Sequence, residues 1–439
     1  MNKIVTSNEI NIVIQYLSIG NFDEALCTLK KIKINNSNNI QLIKLFAYTY
    51  LKKKDWKNSI RYYRQVSTFE NHKFKIHNII GIALFNLGKI NQSIDAYKKS
   101  LTDNPNFDLA YYNLGVAYLE LGLADKAAKN FAHALNLNKN NFEAKKNLIN
   151  IFLITNPHNK NLHPLIKINN EIHNINSVFK NSNLINSKEI KKIFDKVEIV
   201  INDNYDDFIS NETQIYRKNT ISLNCNRHFR VFNEFNIIPK FCFNCYKIQI
   251  NVKNVLDLIK LFFVFDNLNL EKNNIRKCII ETREKISGNY KGYIYCNDLD
   301  EAKTIFNKID NILNNVKINK IEILIKHGCT EFYKPYPEFQ KIVTDNTTQM
   351  KYNENWKNKE DIIDAKTPMR IETDMKKYCP SLKGVNLSDI LIIKNWINYA
   401  NLIGDFSYKK VYDQKIIPSF IDKILEPQLN FRKQDFLQG

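Results

Sequence analysis

The residues with most chemistry to offer are cysteines and histidines. Six of the eight cysteines (Cys225, Cys242, Cys245, Cys278, Cys296 and Cys329) fall between positions 225 and 329. Cys225-Asn-Arg-His228 and Cys242-Phe-Asn-Cys245 together read C-x2-H-x13-C-x2-C. Each x2 spacing lets both members of a pair reach one ion, so Cys225, His228, Cys242 and Cys245 could hold a tetrahedral zinc. Cys242, Cys245, Cys278 and Cys296 form an alternative set drawn from adjacent strands. The plainer reading competes with both: free cysteine is a small, often buried side chain. Phe241, Phe243 and Tyr246 make the second pair look like part of a strand, and the glycine or lysine expected in a zinc knuckle is missing. No cofactor is therefore expected, with zinc as the one to test for. A third reading is a thiol enzyme, since His327-Gly-Cys329 ends a strand with Glu331 close by. The N-terminus has no apolar stretch of signal-peptide length, so disulfides are not expected.

A second group could meet nucleic acid. In Lys291-Gly-Tyr-Ile-Tyr-Cys296, strand alternation puts Lys291, Tyr293 and Tyr295 on one face. This stretch resembles the RNP1 segment of an RNA-recognition motif, whose aromatic rings stack on unpaired bases. It departs from that pattern at Ile294, where a small residue is usual, and Cys245–Ile250 fits the companion RNP2 segment poorly. A tyrosine face packed under another segment is the competing reading.

The elements that must position these residues follow from periodicity. Strands at 244–251, 276–283, 291–296 and 320–326 alternate with helices at 254–265 and 298–313, the latter carrying Leu299, Ala302, Ile305, Phe306, Ile309 and Ile312 on one face. The order βαββαβ is the ferredoxin-like split arrangement. Ser187 caps a helix that opens this region, and an Asn-rich, loosely structured stretch with one helix near 165–179 precedes it. A helix at 388–403 with an Ile390, Ile393, Trp396, Ile397 stripe and a final helix at 418–425 should pack on the sheet.

The N-terminal third repeats every 34 residues. The clearest copy, 108–141, carries Tyr111, Leu114-Gly115, Tyr118, Ala127, Phe131 and Ala134. Stepping back by the period finds His77, Ile80-Gly81, Leu84, Ser93, Tyr97 and Ser100, then Phe46-Ala47, Tyr50, Ser59, Tyr63 and Val66, then Tyr16, Ala25, Leu29 and Ile32. Small residues at the eighth and twentieth positions let two helices approach, and large ones fill the space between repeats. These features resemble the tetratricopeptide repeat (TPR), with 142–153 as a capping half-repeat. The resemblance implies a solenoid that binds a protein or peptide along its first helices. The groove positions are Lys75, Asn78, Ile82 and Phe85 in the third repeat and Leu109, Tyr112, Val116 and Leu119 in the fourth. Chaperone-binding relatives use a Lys/Asn clamp for a terminal carboxylate. Ile10 and Ile14 stand at those positions here, which points to an apolar or aromatic ligand, a segment of this same chain included.

Composition narrows the rest. The formal charge of +19 divides into +10 over residues 1–157 and +9 beyond. So even a spread, in a sequence rich in Lys, Asn and Ile, fits AT-biased coding better than a dedicated nucleic-acid face. No G-x-G-x-x-G, P-loop, H-E-x-x-H or G-x-S-x-G occurs, so the expectation leans away from an enzyme. The longest apolar run, 261–265, is far too short for a membrane span. The expected protein is mainly α with an α+β domain. It has a TPR solenoid at 6–153, a linker at 154–185, a ferredoxin-like module at 186–330 and a helical segment at 331–439 packed upon that module. The expected function is a cytoplasmic adaptor or scaffold that binds a protein or peptide and has no membrane association. RNA association through Lys291, Tyr293 and Tyr295, and a thiol or metal enzyme at the cysteine cluster, are the alternatives.

Overall fold

The computed structural model describes residues 7–33, 39–71, 73–157, 159, 162–179, 186–202, 210–220, 223–284, 286–316, 318–340, 342, 349–366, 379–416 and 418–438. Two compact units emerge, one of described residues up to Asn147, the other of Leu148–Ala365 and those from 379 onward. The chain is mostly helical with one antiparallel sheet. Among the described residues no helix is long and apolar enough to cross a membrane.

The first unit is a run of paired helices: α1 (Ser7–Ser18), α2 (Phe22–Lys33), α3 (Ile40–Lys52), α4 (Trp56–Ser67), α5 (Phe74–Asn86), α6 (Ile90–Asp103), α7 (Asp108–Glu120) and α8 (Ala124–Leu137). Each packs on the next in sequence. The 34-residue period recurs in the packing. A Cβ added at Gly81 would lie 2.6 Å from Tyr97 Cδ1, and one added at Gly115 would lie 2.6 Å from Phe131 Cε1. Ala47, Ser59, Ser93 and Ala127 are fully buried at the corresponding close approaches. The turns repeat too. Gly20, Lys54, Gly88 and Gly122 all have positive φ (77°, 61°, 76° and 71°). The residue after each donates its N–H back to a carbonyl of the first helix: Asn21 to Tyr16, Asp55 to Tyr50, Lys89 to Leu84 and Leu123 to Tyr118, at 2.9–3.0 Å. This is the Schellman ending of a helix, in which a left-handed residue lets orphan carbonyls be satisfied. Helix α9 (Phe142–Ile151) contains the division between the units.

The second unit is built on five strands in the order β1-β3-β4-β2-β5, every neighbouring pair antiparallel. They are β1 (Gln214–Arg217), β2 (Tyr246–Val252), β3 (Arg276–Ile280), β4 (Tyr290–Cys296) and β5 (Lys320–His327). Helix α10 (Pro164–Phe179) and α11 (Ser187–Asn202) precede the sheet, and α12 (Cys225–Phe235) follows β1. Helix α13 (Val255–Asn267) joins β2 to β3, and α14 (Leu299–Val316) joins β4 to β5. Alternation sends Ile248, Ile250, Gly292 and Ile294 to the helix side, where Gly292 admits Leu261 and Phe265 of α13 to van der Waals range.

Short helices α15 (Pro337–Gln340) and α16 (Lys357–Lys366) lead to α17 (Leu387–Ile403), α18 (Phe420–Leu425) and α19 (Leu429–Gln438). Helix α17 is buried over most of its length, packs on α13, and starts with an Asn386/Asp389 capping box. Arg217 at the end of β1 ties these parts together. Its guanidinium, almost fully buried, donates to Asp266 of α13 at 2.5 Å and to Asp389 of α17 at 2.9 Å.

Several expectations change. The helix near 165–179 is no loose connection: Leu165, Ile166, Ile168 and Ile172 are buried, and Asn169 accepts the Leu387 N–H at 3.0 Å. Strand β1, helix α12 and helix α19 have no counterpart in the sequence reading. At four residues β1 is too short to show a period, and α12 begins at the residues read there as metal ligands.

Candidate functional site

On the first helices of the third and fourth repeats the eight groove positions divide. Lys75 and Leu109 are exposed, and Ile82, Phe85, Tyr112, Val116 and Leu119 are half-buried. Ile82 and Phe85 rest their inner sides on the cluster of Ile90, Ile94, Tyr97, Leu114 and Ala117. The Tyr112 ring lies 6.0 Å from that of Phe131, and burial raises its hydroxyl pKa. Asn78 is buried, and Asn113, passed over in the sequence, donates to its side-chain oxygen at 2.9 Å. That amide pair joins α5 to α7 rather than presenting a free amide.

Cys225, Cys242, Cys245, Cys329 and His228 meet at a cavity of about 390 Å³ in the second unit. Cys225 and His228 come from the first turn of α12, entered through Asn224 in a left-handed conformation. Cys242 lies in the 3-10 turn Lys240–Asn244, Cys245 just before β2, and Cys329 just after β5. Gly328, at φ +59°, turns the chain there, and its N–H donates to the Cys245 carbonyl at 2.7 Å.

All these thiols are free. Among the described residues no three His, Cys, Asp or Glu side chains converge in an arrangement that could hold a metal ion. The C-x2-H and C-x2-C pairs line the same cavity. The His228 ring instead stacks on Phe241 at 5.0 Å, and burial, then the Arg227 charge, lowers its pKa to about 4. Burial pushes the Cys329 thiol up to about 11 and Cys245 up to about 12, which keeps both protonated at neutral pH.

The alternative set is divided by the sheet itself. Cys278 pairs in register with Gly292 on the helix side, away from the cavity where Cys242 and Cys245 lie. The His327–Cys329 pair is not assembled either. His327 is committed to two backbone carbonyls, Phe339 at 2.9 Å and Phe243 at 2.8 Å, and is wedged against the Tyr246 and Phe339 rings.

The sheet forms the cavity floor. Lys277 of β3 faces Tyr216 of β1 and Tyr293 of β4 in register, and Lys247 of β2 faces Tyr295. Alternation does place Lys291, Tyr293 and Tyr295 on one face, but that face is roofed by α12 and the 328–332 segment. Lys291 is 2% exposed and bonded to Glu281 at 2.9 Å. Burial would raise the Glu281 carboxyl, yet Arg283 and Lys291 pull it down to about 2. Lys291 would have to leave that ion pair to meet a phosphate, and Tyr293 is only 6% exposed. The platform of exposed rings drawn from the sequence is here a cavity floor, because the segments flanking β2 and β5 fold back across it.

Two family profiles match the chain: a TPR repeat over residues 81–122 and a tetratricopeptide repeat over residues 109–141. No curated protein matches the sequence. Solved structures similar to it include a crystal structure of MamA, at 22% identity, covering 32% of this chain and 82% of that one, with a TM-score of 0.30. MamA from Desulfovibrio magneticus matches at 19% identity, covering 33% and 81%, with a TM-score of 0.30. A thermophilic TPR protein of Thermus thermophilus matches at 20% identity, covering 33% and 80%, with a TM-score of 0.28. The profile matches fall on helices α5–α8, where the glycine–aromatic approaches and the Schellman turns repeat, and the N-terminal region of this chain therefore carries tetratricopeptide repeats.

Proposed function

We propose that the repeat region is a peptide-binding adaptor that takes an apolar or aromatic segment of a partner protein along α5 and α7. Repeats of this kind generally serve protein–protein interaction, and stacked repeats expose one side of each first helix. The observation that carries the reading is the apolar character of that side: Leu109 is 48% exposed, with Ile82, Phe85, Tyr112, Val116 and Leu119 half-buried along the same two helices. Ile10 and Ile14, where a carboxylate clamp would need Lys and Asn, favour an internal segment over a chain terminus. The second unit supplies the scaffold's other part. Its order β2-α13-β3-β4-α14-β5, with β3-β4-β2-β5 adjacent in the sheet, supports reading it as a ferredoxin-like module extended by β1.

Selection of a random displayed-peptide library on the full-length protein tests the adaptor reading. The selected peptides should be rich in Leu, Ile, Phe and Tyr. Leu109→Glu with Leu119→Lys should weaken them at least tenfold while leaving the thermal melt in place. Peptides that bind this double variant as tightly as wild type would sink the proposal.

A further inference from the structure

The cavity over the sheet of the second unit holds more positive charge than its own carboxylates neutralise. Glu281 and Glu331 are the acidic groups on its wall. Glu281 is bound by Lys291 and by Arg283, both at 2.9 Å, and Arg283 also reaches Glu331 at 3.2 Å. That leaves Lys247 and Lys277. Among the described residues neither has a carboxylate within ion-pairing distance, and the one hydrogen-bond partner of the Lys277 ammonium is the Gln214 amide oxygen at 3.4 Å.

Lys277 instead points among three tyrosines, its Nζ lying 5.2 Å from the Tyr293 ring centroid, 5.5 Å from Tyr216 and 5.8 Å from Tyr295. The Lys247 ammonium is 5.5 Å from the same Tyr293 ring, so both cations flank one spot on the cavity floor. Ring faces offset part of the desolvation of an ammonium, but not as a counter-ion does. Burial, with the neighbouring Lys247 and Arg283 charges, accordingly drops the Lys277 pKa to about 8. An anion seated between the two lysines would reverse that. The Cys242, Cys245 and Cys329 thiols on the wall are kept protonated by burial and supply no such charge.

We propose that this cavity binds a small organic anion, a carboxylate or phosphate carried on a flat apolar body, gripped by Lys247 and Lys277. Two ammonium groups without carboxylate partners define the charge, since charge-assisted hydrogen bonds to carboxylate or phosphate are what such donors form. Tyr216, Tyr293 and Phe229 define the body, because they present aromatic surface around the same space. A volume of about 390 Å³ suits a molecule of one or two rings. The site lies within the second unit and is independent of peptide binding by the repeats.

Calorimetric titration of the full-length protein at constant ionic strength tests this, with phenyl phosphate, benzoate and neutral benzamide as probes. At least one anion should bind with one-to-one stoichiometry and benzamide should not; the ranking of phenyl phosphate against benzoate identifies the head group. Lys277→Met and Lys247→Gln should each weaken the anion at least tenfold, while the exposed Lys423→Gln leaves it unchanged. Should Lys277→Met fail to fold, the half-buried Lys247→Gln carries the comparison. Binding of benzamide as tight as either anion, absence of binding at millimolar probe, or anion affinity untouched by the folded cavity variants would each overturn the proposal.

Discussion

The buried His228 and the half-buried Lys277 both give the molecule a measurable pH signature. The folded His228 ring, pressed on Phe241, titrates near 4, whereas in the unfolded chain it takes a proton near 6.5. Between those values the unfolded state binds more protons, so stability falls as pH drops from 6.5 to 4. Urea titrations across that range should show a loss on the order of 2 kcal/mol that His228→Phe removes. An unchanged slope in the variant would mean the ring is hydrated. Lys277 has the same sign higher up the scale: its folded pKa of about 8 lies below its ordinary value, so its burial lowers stability at neutral pH. Lys277→Met should raise the unfolding free energy from urea titration at pH 7 by an amount on the order of 1 kcal/mol, and a lower value would show the ammonium already compensated. The cysteine and histidine types were legible, as was the shared face of Tyr293 and Tyr295. The role of Lys277 was not legible, because nothing local marks a lysine as lacking a counter-ion.

At the scale of the element, the repeat supplies its own controls. Gly115 faces Phe131 so closely that Gly115→Ala must push the ring or separate α7 from α8, costing about 2 kcal/mol, measurable by chemical denaturation. Lys54 is the opposite case. It holds the left-handed turn position occupied by glycine at 20, 88 and 122, so Lys54→Gly should stabilise by about 1 kcal/mol. No gain would mean its side chain makes a contact worth as much as the strain. Helices spaced by a fixed period could be read in advance because the same small and large residues return at the same offsets. Strand β1 could not, since its place beside β3 depends on a pairing partner about sixty residues away.

For the whole molecule, the two compact units predict two thermal transitions in calorimetry. Lys54→Gly should move one of them. Arg217→Met, which strands the buried Asp266 and Asp389 carboxylates, should lower the other by about 3–5 kcal/mol of stability. One transition shifted by both variants would show a single cooperative body. Local pattern determined the repeat helices, their turns, and the alternation that puts Tyr293 and Tyr295 on one face of β4, since each depends on residues a few positions apart. Tertiary structure alone decided that Cys225, His228, Cys242, Cys245 and Cys329, drawn from four separate segments, line one cavity. It also decided that the tyrosine face is a roofed floor and that, among the described residues, Lys247 and Lys277 have no carboxylate within ion-pairing distance. Those outcomes depend on how segments far apart in the chain fold over one sheet, and no spacing within any one segment encodes that.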